Sequence, residues 1–303
     1  RQAVRTRFGR AAATYAEAAV VQREVGSRLL DRFDVMRLTP TRIVDAGCGP
    51  GTHTAALAAR FPAATITAVD HAAAMVERAV PSVAAPETSW LGRLLGRGQA
   101  MAAPTIEGVV SDLRSMPLVR ESCDVVWSNF ALQFVDDLPA LFAEWSRVLK
   151  VGGVLMFTAP GPDTMIELRR AINLAGDDAA CRVHQFADLH DIGDMLVHAG
   201  FADPVMDMEV ITLEYASADA LWRDLRAMGV TNTLAARPRG LMTPRRLAAI
   251  AAALDAGRRD SGPIRISVEV VYGHAWKAAA KKTAEGHGIV RIDDIRRGPR
   301  TTK

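Results

Sequence analysis

Nine consecutive residues, Ile43-Val44-Asp45-Ala46-Gly47-Cys48-Gly49-Pro50-Gly51, restrict this chain more than any other stretch. A β-branched pair runs into an acid, and glycines then alternate. This pattern predicts a buried strand over 42–46, ending in a turn without Cβ atoms where backbone can approach a bound ligand closely. A helix is expected over 52–60, with its N-terminus aimed at the same spot. The spacing is G-x-G-x-G with an acid two residues ahead of it. The dinucleotide fingerprint is G-x-G-x-x-G. Asp45 would repel a pyrophosphate, whereas it suits a ligand that carries an ammonium and a sulfonium.

The same alternation continues downstream. Strands are expected at 64–69, 106–110, 123–127 and 154–159, with helices at 72–79 and 138–149. Gly152-Gly153 is read as the signal that ends the second of these helices. Strand–helix alternation of this kind implies an α/β fold, a doubly wound, mostly parallel sheet with helices on both faces. After residue 160 the rhythm changes. Helical stretches at 163–175, 188–199 and 217–228 surround a strand at 205–215, and 264–276 alternates as one long strand. Ahead of the first strand, apolar residues at helical spacing run from Val4 to Phe33, broken near Thr14. The expected organisation is one domain over 1–277, with N-terminal helices forming a lid at 1–38, an inserted loop at 84–104 and a partly helical cap at 161–250. A basic, flexible tail would follow at 278–303.

With 49% hydrophobic residues in 303, the chain can bury a large core. Cys48, Cys123 and Cys181 are few and lack metal spacing, which points to a reducing cytoplasm. His184 and His190, with Asp188 and Asp191 nearby, match no strong metal motif and are read as structural. No run of 18 uncharged apolar residues occurs, so no membrane partner is expected. The Arg-rich start leads into amphipathic spacing rather than a signal peptide. Charge is uneven: residues 1–234 carry 22 Lys+Arg against 28 Asp+Glu, and residues 235–303 carry 15 against 6. A basic C-terminal third suggests an acidic partner. Without aromatic interleaving, nucleic acid is not expected to be that partner.

In doubly wound folds, ligands bind beyond the carboxyl ends of the strands near the switch point. Four polar clusters fall at such ends: Asp45 to Gly51, Asp70, Ser111-Asp112-Leu113, and Asn129 with Leu132, Gln133 and Phe134 beside it. Asp70 can accept ribose hydroxyls, Asp112 an adenine amino group, and Met75 can stack on the base.

The glycine motif with these acids resembles the class I S-adenosylmethionine (SAM) methyltransferases. Further segments narrow the likeness: Phe8-Gly9-Arg10 with Tyr15 and Gln22, Ser128 to Gln133, Gly161-Pro162-Asp163-Thr164 with Glu167-Leu168-Arg169, and Gly273-His274-Ala275-Trp276. Over about residues 7–278 the chain resembles the biotin-pathway malonyl-acyl-carrier-protein O-methyltransferases. It departs from them at Ala18, in a stretch where relatives often carry His.

The resemblance implies a seven-stranded sheet with a helical lid between strands five and seven. It also implies methyl transfer from SAM to the free carboxylate of a malonyl thioester on acyl carrier protein, leaving S-adenosylhomocysteine. The cofactor set it suggests is Asp45, Gly47, Cys48, Gly49, Gly51, Asp70, His71, Met75, Asp112, Leu113, Asn129 and Gln22. No metal is expected, and the protein is read as a monomer. Tyr15 and Gln22 are candidates to lie over SAM and the reacting carboxylate. Arg223 and Arg226 are candidates to position that carboxylate, with Arg169 behind them because Glu167 stands close by. An already ionised carboxylate needs no general base, so no catalytic triad is expected. Competing readings keep the fold: an arginine hydroxylase of the complex I assembly type, a small-molecule SAM methyltransferase, or a binding protein that retains a fossil site. Nucleic-acid methylation is disfavoured, since Ser128-Asn129-Phe130-Ala131 is not an Asn-Pro-Pro-aromatic cluster.

Overall fold

A computed structural model of the chain describes residues 6, 8–9, 15–80, 104–229, 232, 237, 240, 242–260 and 262–279. The expected loop at 84–104 and the expected tail at 278–303 lie outside the described residues, apart from Pro104, Ala278 and Ala279.

Among the described residues, seven strands form one sheet: β1 (Arg42–Ala46), β2 (Thr65–Asp70), β3 (Thr105–Val110), β4 (Cys123–Asn129), β5 (Leu149–Pro160), β6 (Phe201–Tyr215) and β7 (Ile264–Lys277). Their order is β3-β2-β1-β4-β5-β7-β6. Only β7 runs against its neighbours. The doubly wound, mostly parallel sheet read from the sequence is the one the chain adopts. β1, β2 and β4 are buried on both faces, which is why they read as nearly continuous apolar runs. Register aligns their carboxyl ends, with Asp45 beside Ala68 and Trp127, Asp70 beside Val110, and Asn129 beside Thr158. β2 and β4 flank β1, so the strand order reverses at the glycine turn.

Helices α1 (Tyr15–Ala18) and α2 (Val20–Asp31) precede the sheet, and α3 (Thr52–Arg60), α4 (Ala73–Ala79) and α5 (Leu138–Val148) connect its parallel strands. One core, around Phe142, Trp145, Leu155 and Phe157, seats α5 on one face. Side chains such as Phe142 and Trp145 contribute about 1.5–3 kcal/mol each when fully buried. Asp137 caps α5 by accepting the Ala140 amide at 3.0 Å, and a proline sits in its first turn. The other face carries Leu29 of α2 with Trp127, Val270 and Tyr272. Arg28 of α2 and Arg32, just past its end, also reach Glu209 and Asp207 of β6.

The reading of Gly152-Gly153 as the end of a helix is corrected. α5 stops at Val148 because Leu149 turns extended and pairs with Cys123. The two glycines lie within the bulged entry to β5 instead.

After β5 come α6 (Ile166–Leu174) and α7 (Leu189–His198), and between β6 and β7 come α8 (Ala218–Ala227) and α9 (Pro244–Ala256). α9 lies beyond the helical stretches expected from the sequence pattern. Thr243 caps it through the Arg246 amide, with Pro244 opening its first turn. α6, α8 and α9 meet the outer ends of β6 and β7 in a separate apolar cluster that includes Leu168, Leu221, Ile250 and Ile266. This cluster roofs the carboxyl edge of the sheet.

Candidate active site

The turn after β1 holds Gly47, Gly49 and Gly51 at positive φ. Glycine is required at Gly47, where a Cβ would come within 2.5 Å of the Ala131 Cβ, and at Gly51, where it would meet the Ala79 Cα at 2.4 Å. Backbone amides of Gly47 and Cys48 both donate to the Val69 carbonyl, and the Gly49 amide donates to Asp70 at 3.2 Å. With these amides engaged by β2, the turn is not a phosphate cradle, in line with the acid beside it.

Asp45 is buried and accepts a 2.6 Å hydrogen bond from the Thr54 hydroxyl in the first turn of α3. Burial raises its pKa to about 7, with the Asp70 charge adding to the shift. Asp70 also accepts from the Ala72 amide at 2.8 Å, and His71 lies 3.2 Å from it. Burial likewise pushes the Cys48 thiol up, which leaves it uncharged.

Three cavities meet here. A cleft of about 840 Å³ is lined by Gly47, Gly49, Asp70, His71, Met75 and Leu113, among others. A recess of about 390 Å³ continues it past Asp45, Cys48 and Gln22, sharing Tyr15, Gly49 and Asn129 with the cleft. A larger chamber of about 1750 Å³ opens under the cap. It shares Tyr15, Phe130 and Phe134 with the cleft, and its further walls are mostly apolar, with Leu168, Ile172 and Leu225 typical. Tyr15 touches all three spaces. Burial and the Asp70 charge push its hydroxyl to about pKa 12, so it remains a proton donor at neutral pH.

Not every expected residue stands as read. Asp112 lines the cleft, but Arg114 grips both of its oxygens, at 3.0 and 2.6 Å. Asn129 lines the cleft and the recess, while its side chain bridges the Gln22 carbonyl and the Thr158 hydroxyl. Gly51 shapes the turn without lining any of the three cavities. Both Arg223 and Arg226 are exposed, but Arg226 lines the chamber, whereas Arg223 lines none of the three. Helical periodicity turns Trp222 and Leu225 inward, sets the exposed Arg226 at the chamber's edge and leaves Arg223 off that face. Arg169 donates to the Pro162, Thr164 and His184 carbonyls, and Glu167 accepts from Ser267 instead of pairing with it. Among the described residues no group of three or more His, Cys, Asp or Glu side chains could hold a metal ion.

Sequence reading did not single out Phe8, Phe130 or Arg114 as site residues. Phe8 closes the cleft edge-on to Phe134, with ring centres 4.8 Å apart. Phe130 sits at φ 50°, a left-handed conformation that costs energy outside glycine and often marks functional sites. Two hydrogen bonds from its amide to Thr158 hold it there. No sequence signal announces a positive φ at a phenylalanine.

The family described as "Methyltransferase domain" matches residues 44–157. A malonyl-[acyl-carrier protein] O-methyltransferase of Gallionella capsiferriformans is 43% identical over 96% of both chains. One from Laribacter hongkongensis is 46% identical over 95% of this chain and 94% of its own. Among solved structures, the YcgJ protein of Bacillus subtilis has a TM-score of 0.55 at 17% identity, covering 83% of this chain and 98% of its own. That likeness concerns the fold alone.

Proposed function

The chain belongs to the malonyl-[acyl-carrier protein] O-methyltransferase family, and from that footing we propose that it methylates the free carboxylate of a malonyl thioester on acyl carrier protein. SAM is the methyl donor in this reading, and the product is the methyl ester that starts the pimeloyl chain of biotin. The observation that carries the proposal is the meeting of a polar, glycine-edged cleft and an apolar chamber at Tyr15, Phe130 and Phe134.

The residues present fit SAM. The recess puts the buried Asp45 where an ammonium needs a partner. The cleft offers the Asp70 carboxylate and, beside it, a His71 Nε2 that is buried without a partner among the described residues. Both suit ribose hydroxyls, while Met75 and Leu113 supply apolar walls for a base. Asp112, already held by Arg114, is left to shape the base pocket more than to bind its amino group. When bound, SAM supplies an electrophilic methyl group on a sulfonium.

The chain's own work is then positioning and exclusion of water. The malonyl carboxylate, with an ordinary pKa near 4, arrives ionised, so no side chain has to remove a proton. Tyr15, kept protonated, orients it. Apolar walls strengthen the attraction between carboxylate and sulfonium by excluding water. Arg226 lines the chamber and draws the anionic group inward, and Arg223, exposed, is left for docking of an acidic carrier. Cys48, Cys123 and Cys181 are free thiols, and we read the protein as a monomer of a reducing cytoplasm. Neither arginine hydroxylation nor small-molecule methylation is favoured, because the close relatives carry the malonyl-carrier name.

Incubation with methyl-labelled SAM tests the proposal. Label should enter a base-labile ester on malonyl-acyl carrier protein, and the gene should rescue a biotin auxotroph that lacks the pathway methyltransferase. Absence of labelled ester would overturn the reading.

A further inference from the structure

Two atoms of the chamber wall are buried without hydrogen-bond partners among the described residues, and they ask for opposite things. Gln133 Oε1 is an acceptor and Trp222 Nε1 is a donor. Buried polar groups in folded proteins are nearly always satisfied, so a ligand is the natural source of both partners. Neither residue lines the cleft or the recess, which makes that ligand an occupant of the chamber itself. The demand at Gln133 is fixed by its other end. Its amide nitrogen donates to the Phe130 carbonyl at 2.7 Å, and turning the group round would set oxygen against oxygen. Gln22 Oε1 is also unpartnered, but Gln22 borders the recess as well, and only the Met228 sulfur, 3.8 Å from its amide nitrogen, orients it. The argument therefore stands on Gln133 and Trp222.

These two atoms select the ligand's chemistry. A carboxylate offers acceptors alone: it would satisfy Trp222 and be repelled by the Gln133 oxygen. An ammonium offers donors alone and fails at Trp222. A neutral chain that carries both N–H and C=O groups satisfies both. The remaining wall is mostly apolar and extends from Phe130 and Phe134, shared with the cleft, to the partly exposed Leu247 of α9. Such a chain can thus enter from outside and end at the cleft.

We propose that the chamber reads the pantetheine arm that tethers the thioester: Gln133 Oε1 accepts the N–H of the arm's amide next to the thioester, and the Trp222 indole N–H donates to an arm carbonyl. The inference rests on a malonyl thioester of acyl carrier protein being the methyl acceptor. Gln133 is bonded to Phe130 and adjoins Phe134 in sequence, so it stands at the chamber's inner end and meets the amide nearest the reacting group. The reacting carboxylate lies past that amide, towards Tyr15, which touches all three spaces. Arm contacts do not change as the ester forms. They supply binding and register, and their loss falls mainly on KM.

The test loads acyl carrier protein with malonyl on two arms, the natural one and one in which an ester oxygen replaces the N–H next to the thioester. Wild-type protein should favour the natural arm by about tenfold or more in kcat/KM, since the ester leaves the Gln133 oxygen unpaired. Gln133→Met keeps the side-chain length and removes the acceptor. It should lose about tenfold on the natural arm, with the two arms then within about twofold of each other. Trp222→Phe removes the N–H and should slow both arms by about fivefold or more, with SAM affinity in either variant within about twofold of wild type. Equal use of the two arms by wild type, a preference that survives Gln133→Met in full, or wild-type rates in Trp222→Phe would each overturn the proposal. A wild-type protein that leaves the natural malonyl carrier unmethylated sinks the proposed function itself, a distinguishable result.

Discussion

Asp45 carries two demands that oppose each other. A carboxylate buried beside Thr54 and near Asp70 is costly in the ligand-free protein, and its pKa of about 7 expresses that cost. In the unfolded chain the group ionises near its ordinary value of about 3.9, while the folded chain keeps the proton until about pH 7. Its stabilising contribution is therefore complete below the unfolded value and is lost as pH rises through the folded one. Asp45→Asn should raise the melting temperature of the ligand-free protein at about pH 8, and the gain should shrink towards about pH 5. The same variant should weaken SAM binding by about tenfold or more, because the ammonium loses its charged partner. Thermal melts across that pH range, with calorimetry for SAM, check both halves; a gain independent of pH would show that the carboxylate does not titrate there. Asp45 and the glycines could be singled out from sequence because their chemistry is local. The raised pKa could not, since it arises from burial of the side chain in the fold and from the charge of Asp70 at the end of β2.

Among the elements, those with strong local signals lie where the sequence puts them: β1 over Arg42–Ala46 and α3 over Thr52–Arg60 match the expected bounds. Legibility fails where long-range pairing overrides a local cue. Gly152-Gly153 resembles a helix stop, yet pairing of Leu149 with Cys123 ends α5 earlier. Arg169 offers a second case. From sequence it is a weaker candidate for the substrate carboxylate, with Glu167 expected to occupy it, but in the fold it is the strut of the cap's entry. Its guanidinium satisfies carbonyls of the segment after β5 and of His184 ahead of α7. Arg169→Met keeps much of the side-chain length and removes those donors. It should destabilise the protein by about 1–3 kcal/mol, since part-buried carbonyls would be left unpaired. Denaturant unfolding measures this, and a loss below about 0.5 kcal/mol, the level of an ordinary surface change, would contradict the strut role.

At the scale of the whole molecule, the sheet and the cap build different halves of the site. Segments at the carboxyl ends of β1 to β4, with Phe8 and Tyr15, make the cleft, whereas α6, α8, α9 and the ends of β6 and β7 make most of the chamber. Blocking one half should leave the other intact. Leu247→Trp, on the chamber side of α9 and partly exposed, should raise KM for malonyl carrier by about tenfold or more while SAM affinity stays within about twofold, given the volume the indole removes. Parallel steady-state kinetics and SAM titration read the two effects, and a matching loss of SAM affinity would deny that the halves are separable. The sequence by itself determined the strand alternation, the glycine turn and the order of acids at the strand ends, because each depends on neighbours a few residues apart. It also carried the segments that match the family. Only the tertiary structure decided which arginine reaches the chamber, how Arg114 takes Asp112, and which buried Gln and Trp atoms are left without partners. Those outcomes depend on helices far apart in sequence packing over one edge of the sheet. Helical periodicity marks the apolar face of each helix, but not what that face meets.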